Sequence, residues 1–231
     1  MRKPFEPHLS SRPHSRPKPW CLLAILLSIA TPLWAQELPE PGTWRTVGDL
    51  NQARAGHTAT LLANGTVLIA GGKDRSGHAM PHAEIFDPST GQFTLISAAV
   101  PAPVWGHTAT LLDDGRVLIA GGRDDVGLPV PSAQLFDPSS GTFTSVGSMT
   151  TPRGAHTATL LRDGRILVAG GSDGRNALAS LEIYDPATRT FSSAPGTMLA
   201  PRESHTATSL ADGRVLIAGG SNASGALPGA P

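Results

Sequence analysis

The sequence contains little cysteine and few aromatic residues. Only one of its 231 residues is a cysteine, Cys21, and only one is a tyrosine, Tyr184. A single cysteine cannot form an intramolecular disulfide, so stability must come from packing. The sequence has no nucleophile elbow, phosphate-binding loop or zinc signature. We therefore expect neither a cofactor nor a bound metal.

An excess of charge is also missing. The 18 basic and 18 acidic side chains cancel to a net charge of zero. Because five basic residues lie before residue 20, the remainder of the chain is slightly acidic. No basic patch is evident there, which argues against nucleic-acid binding.

The N-terminal segment is typical of a secretory signal peptide. Basic residues precede an apolar run at residues 20–35, which at about 16 residues is shorter than the roughly 20 that a membrane span needs. A small residue, Ala35, stands before the polar Gln36. We predict a signal peptide at residues 1–35, a short linker at 36–41, and a secreted or periplasmic mature protein without stable membrane insertion. An uncleaved N-terminal anchor is the alternative.

The dominant feature of the sequence is a fourfold internal repeat. Residues 57–72 (HTATLLANGTVLIAGG) recur with few changes, and the first residue of each copy is a histidine. A second shared segment contains Asp-Pro between two aromatic residues. The later copies of the first segment are residues 107–122, 156–171 and 205–220, and the second segment occupies residues 85–93, 135–143 and 183–191.

Each repeat predicts four antiparallel strands, which we call a, b, c and d. Strand a is His-Thr-Ala-Thr-Leu-Leu, and a following Asn-Gly or Asp-Gly pair is the strongest short-range signal for a hairpin. Strand b is apolar on both faces, as expected when neighbouring sheets cover it. A Gly-Gly pair ends strand b, where it permits positive φ and close approach of a neighbour. The Asp-Pro turn joins strands c and d.

These motifs resemble the kelch repeat, with its period near 50, its diglycine after the second strand and its two aromatic residues. The variant is similar to that of bacterial exported kelch proteins and galactose-oxidase-like propellers, although Phe replaces the usual second aromatic, Trp, except at Trp44. The resemblance covers about residues 42–220 and implies an all-β, kelch-type β-propeller of four-stranded antiparallel blades. The predicted units are 42–97, 98–147, 148–196 and 197–220.

The ring of blades is expected to be open or truncated. Residues 42–48 match strand d, which in kelch-like propellers completes the last blade. The last blade lacks its third strand, because residues 221–231 do not continue the repeat and read as a flexible tail or truncated blade. We expect strand b of this blade to form an apolar edge capable of self-association. A fragment of a longer propeller and a small, imperfect ring are the two interpretations.

Binding is predicted on one face of the blades. The a–b and c–d turns are short and nearly identical between repeats, whereas the b–c and d–a loops are long and differ, which favours these loops for ligand contact. Three arginines around an axis would favour carboxylate or phosphate groups, and Trp105 would stack on a sugar or an aromatic ring. The predicted ligand-binding residues are Arg54, Trp105, Arg153, Arg202, Lys73, Arg75, Arg123 and Asp173.

Structural roles compete with each of these assignments. The arginines could bind loop carbonyls or a neighbouring carboxylate, and Trp105 could pack on its own loop. The four repeat histidines (His57, His107, His156 and His205) could bind a metal, but residues that define a repeat are more often structural. The aspartate-rich loops match no dedicated calcium loop.

Three functions are compatible with the sequence. The one we favour is an exported, non-catalytic module that binds a protein or glycan through its long loops. The alternatives are a carbohydrate-active enzyme (an epimerase or an oxidase-like protein), for which Glu203 is the only unusual acid, and an adhesive or structural segment of a longer repeat protein. A copper-radical oxidase needs a cysteine and two tyrosines, whereas the mature chain would have no cysteine and one tyrosine, Tyr184.

Overall fold

Each of the first three repeats folds as a four-stranded antiparallel sheet. The computed structural model describes residues 44 and 46–227, so the predicted signal peptide and linker lie outside the described residues. Within this part of the chain the fold is all-β, and no helix is long and apolar enough to cross a membrane. We number the repeats as units 1 to 4 in chain order.

The strands of units 1 to 3 follow the predicted order a, b, c, d, with sequential neighbours paired. Unit 1 consists of β1 (Ala55–Leu61), β2 (Val67–Lys73), β3 (Glu84–Asp87) and β4 (Gln92–Leu95). Unit 2 consists of β5 (Thr108–Leu111), β6 (Val117–Ala120), β7 (Ala133–Asp137) and β8 (Thr142–Ser145). Unit 3 consists of β9 (Thr157–Leu160), β10 (Ile166–Ala169), β11 (Ser180–Asp185) and β12 (Thr190–Thr197).

Unit 4 contains only the two inner strands of a blade. β13 (Thr206–Ser209) pairs with β14 (Val215–Ala218), and a short separate hairpin follows, formed by β15 (Ser221–Asn222) and β16 (Gly225–Ala226). The prediction that the last blade lacks its third strand is confirmed for the described residues. The sheets are not closed into a ring.

The expected N-terminal outer strand does not form in the described residues. Trp44 and residues 46–50 are not in a strand, and the Trp44 side chain is exposed. The other residues of the predicted strand at 42–48 lie outside the described residues. A strand d pairs with strand c of its own blade, as β4 pairs with β3. Unit 4 offers no strand c among the described residues, so this segment has no sheet to join.

The two aromatic residues of each complete unit pack against each other where strands c and d leave their turn. Their ring centroids lie 4.7 Å apart for Phe86 and Phe93, and 4.9 Å apart for Tyr184 and Phe191. Phe136 and Phe143 form the equivalent pair in unit 2. Such tilted pairs stabilise the outer strands beyond the burial of their surface.

The hydrophobic core lies between units rather than within a sheet. Leu68 and Ala70 of unit 1 pack with Val117 and Ile119 of unit 2. The other side of β6 repeats the arrangement against unit 3, where Leu118 is in the same cluster as residues of β10. Strand b is therefore covered on both faces in the middle units, as its apolar sequence predicts.

The diglycines join consecutive units. We call the side of a unit that carries its repeat histidine the His side. The opposite side, which carries the first glycine of the pair and faces the next unit, is the Gly side. A Cβ placed on Gly121 would lie 2.6 Å from both Cε1 of His156 and the carbonyl oxygen of Arg153. The backbone of Gly121 also has a φ of +61°. The position therefore needs glycine for both its conformation and its neighbour.

Gly121→Val should lower the free energy of unfolding by about 3 kcal/mol, through left-handed strain and overpacking against unit 3. Gly141 is the matched control, because its φ is +66° and nothing lies within 4 Å of an added Cβ. Gly141→Val should cost only the strain, about 1–2 kcal/mol. Urea denaturation of the two variants measures the difference. Equal costs would show that the next unit does not restrict Gly121.

Candidate functional site

The two families of long loops meet on one surface, which we call the long-loop face. Trp105, in the loop before strand a of unit 2, forms a β-bridge with Arg123, which follows strand b of the same unit. The equivalent pairs are Ala55 with Lys73, Gly154 with Ser172, and Glu203 with Ser221. The prediction that the b–c and d–a loops share a face is confirmed. The a–b and c–d turns form the short-turn face.

A tryptophan between two cations is the most distinctive feature of the long-loop face. Nζ of Lys73 lies 4.0 Å from the centroid of the Trp105 ring, and Cζ of Arg123 lies 5.9 Å from it. The indole Nε1 donates a hydrogen bond to the carbonyl oxygen of Asp124 at 3.0 Å, which fixes the ring. The ring is half-buried. These contacts orient a large aromatic surface before any ligand arrives.

The two cations beside Trp105 are accessible to a ligand. Arg123 donates one hydrogen bond to the carbonyl oxygen of Gly127, and neither Arg123 nor Lys73 is ion-paired in the part of the chain that the structure describes. Both side chains are partly exposed. Units 3 and 4 carry serine at the corresponding positions, Ser172 and Ser221, so only units 1 and 2 place a cation there.

The three arginines predicted to bind a ligand (Arg54, Arg153 and Arg202) have buried side chains, so the structure favours the alternative, a structural role. Arg153 is fully buried; its guanidinium binds Glu182 at 2.9 Å and donates to the carbonyl oxygens of Gly170 at 2.8 Å and Ser180 at 3.0 Å. Arg54 makes the equivalent ion pair with Glu84 at 2.8 Å, with both side chains buried. Their hydrogen-bonding capacity is used within their own units.

Hydrogen bonds keep the buried carboxylate of unit 1 ionised. Glu84 accepts bonds from the backbone and side chain of Asn51 at 2.8 and 2.9 Å, and from the backbone of Gln52 at 3.2 Å. Although burial acts to raise it, the pKa of Glu84 is lowered, because these bonds and the charge of Arg54 favour the carboxylate. The ion pair thus holds the d–a loop on strand c.

Unit 2 replaces this ion pair with a neutral pair. Val104 stands where units 1 and 3 have arginine, and Gln134 stands where they have glutamate. Both are buried, at 3% and 2% exposure, and the amide of Gln134 donates to the carbonyl oxygen of Ala102 at 3.1 Å. The two positions change together because either charge alone would be buried without a partner.

Arg202 is also buried, at 4% exposure, but it belongs to the incomplete unit 4. It donates to the carbonyl oxygen of Gly219 at 2.8 Å and has no carboxylate partner among residues 44 and 46–227. In the complete units that partner comes from strand c. The burial of Arg202 removes it from the surface where a ligand would bind.

The remaining predicted site residues are dispersed. Arg75 is exposed at the tip of its loop. The Asp173 carboxylate accepts hydrogen bonds from the backbone N–H groups of Asn176 and Arg175 at 2.7 and 2.8 Å, which lowers its pKa. Asp74 and Asp124 make the same turn in units 1 and 2. Asp173 therefore has a repeated structural role.

The repeat histidines connect neighbouring units. Nε2 of His107 is 2.8 Å from the hydroxyl oxygen of Thr58, and Nε2 of His205 is 3.0 Å from that of Thr157. His156 makes the equivalent contact with Thr108 at 3.1 Å. Burial, followed by the charge of His57, lowers the pKa of His107 to about 4. The described residues contain no group of three or more side chains that could hold a metal ion.

A polar cavity of about 420 Å³ lies on the other half of the long-loop face, between units 3 and 4. Arg175, Asn176, Glu203 and Asn222 are among its lining residues. Glu203 is the only carboxylate in this lining. The cavity therefore offers hydrogen-bonding groups of mixed type rather than a pair of acids for general acid–base chemistry.

Repeated antiparallel sheets that pack face to face, with an aromatic pair in each complete unit, define a propeller-type repeat protein. The family profile of the KLHDC2/KLHL20/DRC7 Kelch-repeats domain matches residues 40–220. The chain belongs to the kelch-repeat family, whose repeats generally mediate protein–protein interaction. No curated protein matches the chain significantly.

Proposed function

We propose that this chain is an exported, non-catalytic module that binds a protein partner through its long-loop face. The observation that carries the proposal is the ring of Trp105 held between Lys73 and Arg123. Tryptophan and arginine are the residue types that most often dominate the energy of protein interfaces. Since the two cations have no acidic partner in the described part of the chain, the partner should present carboxylates beside an apolar or aromatic group.

The repeat supplies its own substitutions for testing this site. Trp105→Ala, Lys73→Ser and Arg123→Ser introduce residue types that other units carry at the same positions. The triple variant should lower the free energy of unfolding by only about 1 kcal/mol, the scale of an exposed cation–π contact. Its affinity for the partner should fall by about 30-fold or more, the effect of losing one strong interface contact.

The experiment compares proteins captured by the wild-type chain and by its variants from the same extracellular or periplasmic extract, followed by measurement of Kd. Asp114→Asn on the short-turn face is the control, since unit 1 carries Asn64 there. The partner should bind wild type and control alike, more weakly as salt increases, because its carboxylates pair with the cations. A partner that binds the triple variant with unchanged affinity would refute this site.

Glycan binding is the second candidate function, and the polar cavity between units 3 and 4 supports it. Its lining combines an arginine, two asparagines and a glutamate, groups that can hydrogen-bond sugar hydroxyls. A glycan array probed with wild type and Glu203→Gln distinguishes this function from the first. A bound glycan should be lost with Glu203→Gln and retained with the triple variant of Trp105, Lys73 and Arg123.

Export is part of the proposal and rests on the sequence of residues 1–35. The mature protein should begin at Gln36 and be recovered outside the cytoplasm. Intact-mass spectrometry of the secreted or periplasmic fraction measures this directly, and Ala35→Leu, which removes the small residue before the cleavage point, should block processing. Recovery of the chain with its first residues intact in the cytoplasm would contradict the export proposal.

A further inference from the structure

The same set of contacts joins every pair of consecutive units. The repeat histidine of one unit reaches a threonine on the Gly side of the unit before it, at 2.8–3.1 Å. The backbone N–H of the second glycine donates to a carbonyl oxygen of the following d–a loop at 2.9 Å; the pairs are Gly72 with Val104, Gly122 with Arg153, and Gly171 with Arg202. At each junction the Gly side thus donates a backbone N–H to a carbonyl oxygen of the next unit and contacts its histidine through a threonine.

The Gly side of unit 4, formed by β13 and β14, is not covered by any residue that the structure describes. Leu216 is 43% exposed, whereas the equivalent Leu68 and Leu118 are 0% and 1% exposed. Thr206, which corresponds to the histidine-bound Thr58, is exposed. No described residue has an atom within 4 Å of a Cβ placed on Gly219. The N–H of Gly220 has no backbone acceptor among the described residues.

The His side of unit 1 is the matching uncovered half. His57 and Ala59 are exposed, whereas the equivalent His107 is buried against unit 1. Leu61 is 63% exposed, while its counterpart Leu111 packs against the cluster between units 1 and 2. This side therefore presents the histidine and the apolar residues that dock on a Gly side at each internal junction.

We infer that the uncovered Gly side of unit 4 binds the uncovered His side of unit 1 in a second copy of this chain, through the contacts that join consecutive units. His57 of one copy would reach Thr206 of the other and lie over Gly219, while Leu216 and Leu61 become buried. This interaction does not depend on the ligand proposed above. It extends an interface that the chain already forms at each of its internal junctions.

A second copy fits better than contact within one chain. The two uncovered sides belong to the first and last of the units that the structure describes, and their sheets are not closed into a ring. When two different surfaces bind each other, copies related by a rotation can form a closed assembly. Two copies that bind at both junctions would leave neither the Gly side nor the His side uncovered. Such a pair would contain twice the four units of one chain, within the roughly four to eight blades typical of propellers.

Two inner strands are enough to form this junction. Unit 4 docks on unit 3 with only β13 and β14, and its His205 makes the same threonine contact as the histidines of complete units. Among the described residues, unit 4 lacks the strand c residues, such as Ala133 and Leu135 of unit 2, that add to the cluster at an internal junction, so the contact made by its Gly side would rest on β13, β14 and the diglycine. The outer strands of unit 1, β3 and β4, remain available to extend the His-side half of the proposed contact.

Sedimentation or light scattering of the mature chain tests the inference. Wild type should have twice the monomer mass, and Leu216→Glu and Leu61→Glu should each be monomeric, because each blocks one of the two sides. Mixing these variants in equal amounts should restore a species of twice the monomer mass, since one variant keeps an intact Gly side and the other an intact His side. Val126→Glu, at an exposed loop residue of unit 2, should leave the mass unchanged.

Several outcomes would overturn the inference. A monomeric wild-type chain would do so, as would a mixture of the two variants that stays monomeric. A Leu61→Glu variant that still pairs would indicate pairing along the β14 edge instead. Thr206→Lys is a second test of the Gly side, because Thr206 is exposed; a pair that persists in this variant would also contradict the proposed contact.

Discussion

Arg153→Val should lower the free energy of unfolding by about 3–5 kcal/mol, the usual cost of leaving a buried charge without its partner. The guanidinium is fully buried, and its removal leaves the Glu182 carboxylate inside the protein. Urea denaturation at neutral pH measures the loss. Arg162→Val, at an exposed arginine in the same unit, is the control and should change stability by less than about 0.5 kcal/mol.

Unit 2 shows how the loss should be reversed. It carries valine and glutamine at the two positions, so Arg153→Val combined with Glu182→Gln copies a pair that already folds in this chain. The double variant should be more stable than Arg153→Val alone by about 2 kcal/mol or more, because no buried charge remains. If the free-energy costs of the two substitutions were additive, the Glu182 carboxylate would not depend on Arg153. The ion pair would then not hold the d–a loop on strand c.

Lowering the pH from 8 to 5 should reduce the free energy of unfolding by about 4 kcal/mol, mainly through two buried histidines. Burial, then the charge of His57, lowers the pKa of His107 to about 4. Burial, then the charge of Arg153, lowers the pKa of His156 to about 3. Their ordinary pKa is 6.5. Below that pH the unfolded chain binds a proton at each site and the folded chain does not.

The sign of this effect and its pH window follow from the depressed folded-state pKa values. The stability contribution is complete above pH 6.5 and is lost as the pH falls towards about 4 for His107 and about 3 for His156. Each histidine should contribute about 2 kcal/mol by pH 5. Urea denaturation at pH 8 and pH 5 measures the total, and His107→Gln should remove about half of it. A stability that does not change between these pH values would show that the histidines are not buried in their neutral form.

Most of the fold could be predicted from the sequence because the repeat is nearly exact. The period, the Asn-Gly and Asp-Gly turns, the diglycines and the aromatic pairs each specify local backbone or packing, and they agree across the units. Trp44 and residues 46–48, which were predicted as part of a strand, are not in one. These residues match strand d, but a strand d needs a strand c to pair with, and the sequence itself predicts that the last blade lacks its strand c.

The candidate site was less predictable, because loop position does not determine the direction of a side chain. Arg153 comes from a long loop, as predicted, but its side chain turns inward to Glu182. The sequence contains a signal for this contact. Where the loop residue is arginine (Arg54 and Arg153), the residue on strand c is glutamate (Glu84 and Glu182). Where the loop residue is Val104, the residue on strand c is Gln134. By contrast, Trp105 interrupts the pattern alone, and it lies on the long-loop face as predicted, between Lys73 and Arg123.

The central claim, that a protein partner binds the long-loop face, is tested most directly by site-specific photo-crosslinking. A photoreactive residue at Leu128, which is 61% exposed on a long loop, is compared with one at Ser139, which is exposed on the short-turn face. We expect the captured partner to crosslink to position 128 and not to position 139. Crosslinking to position 139 alone would contradict the claim.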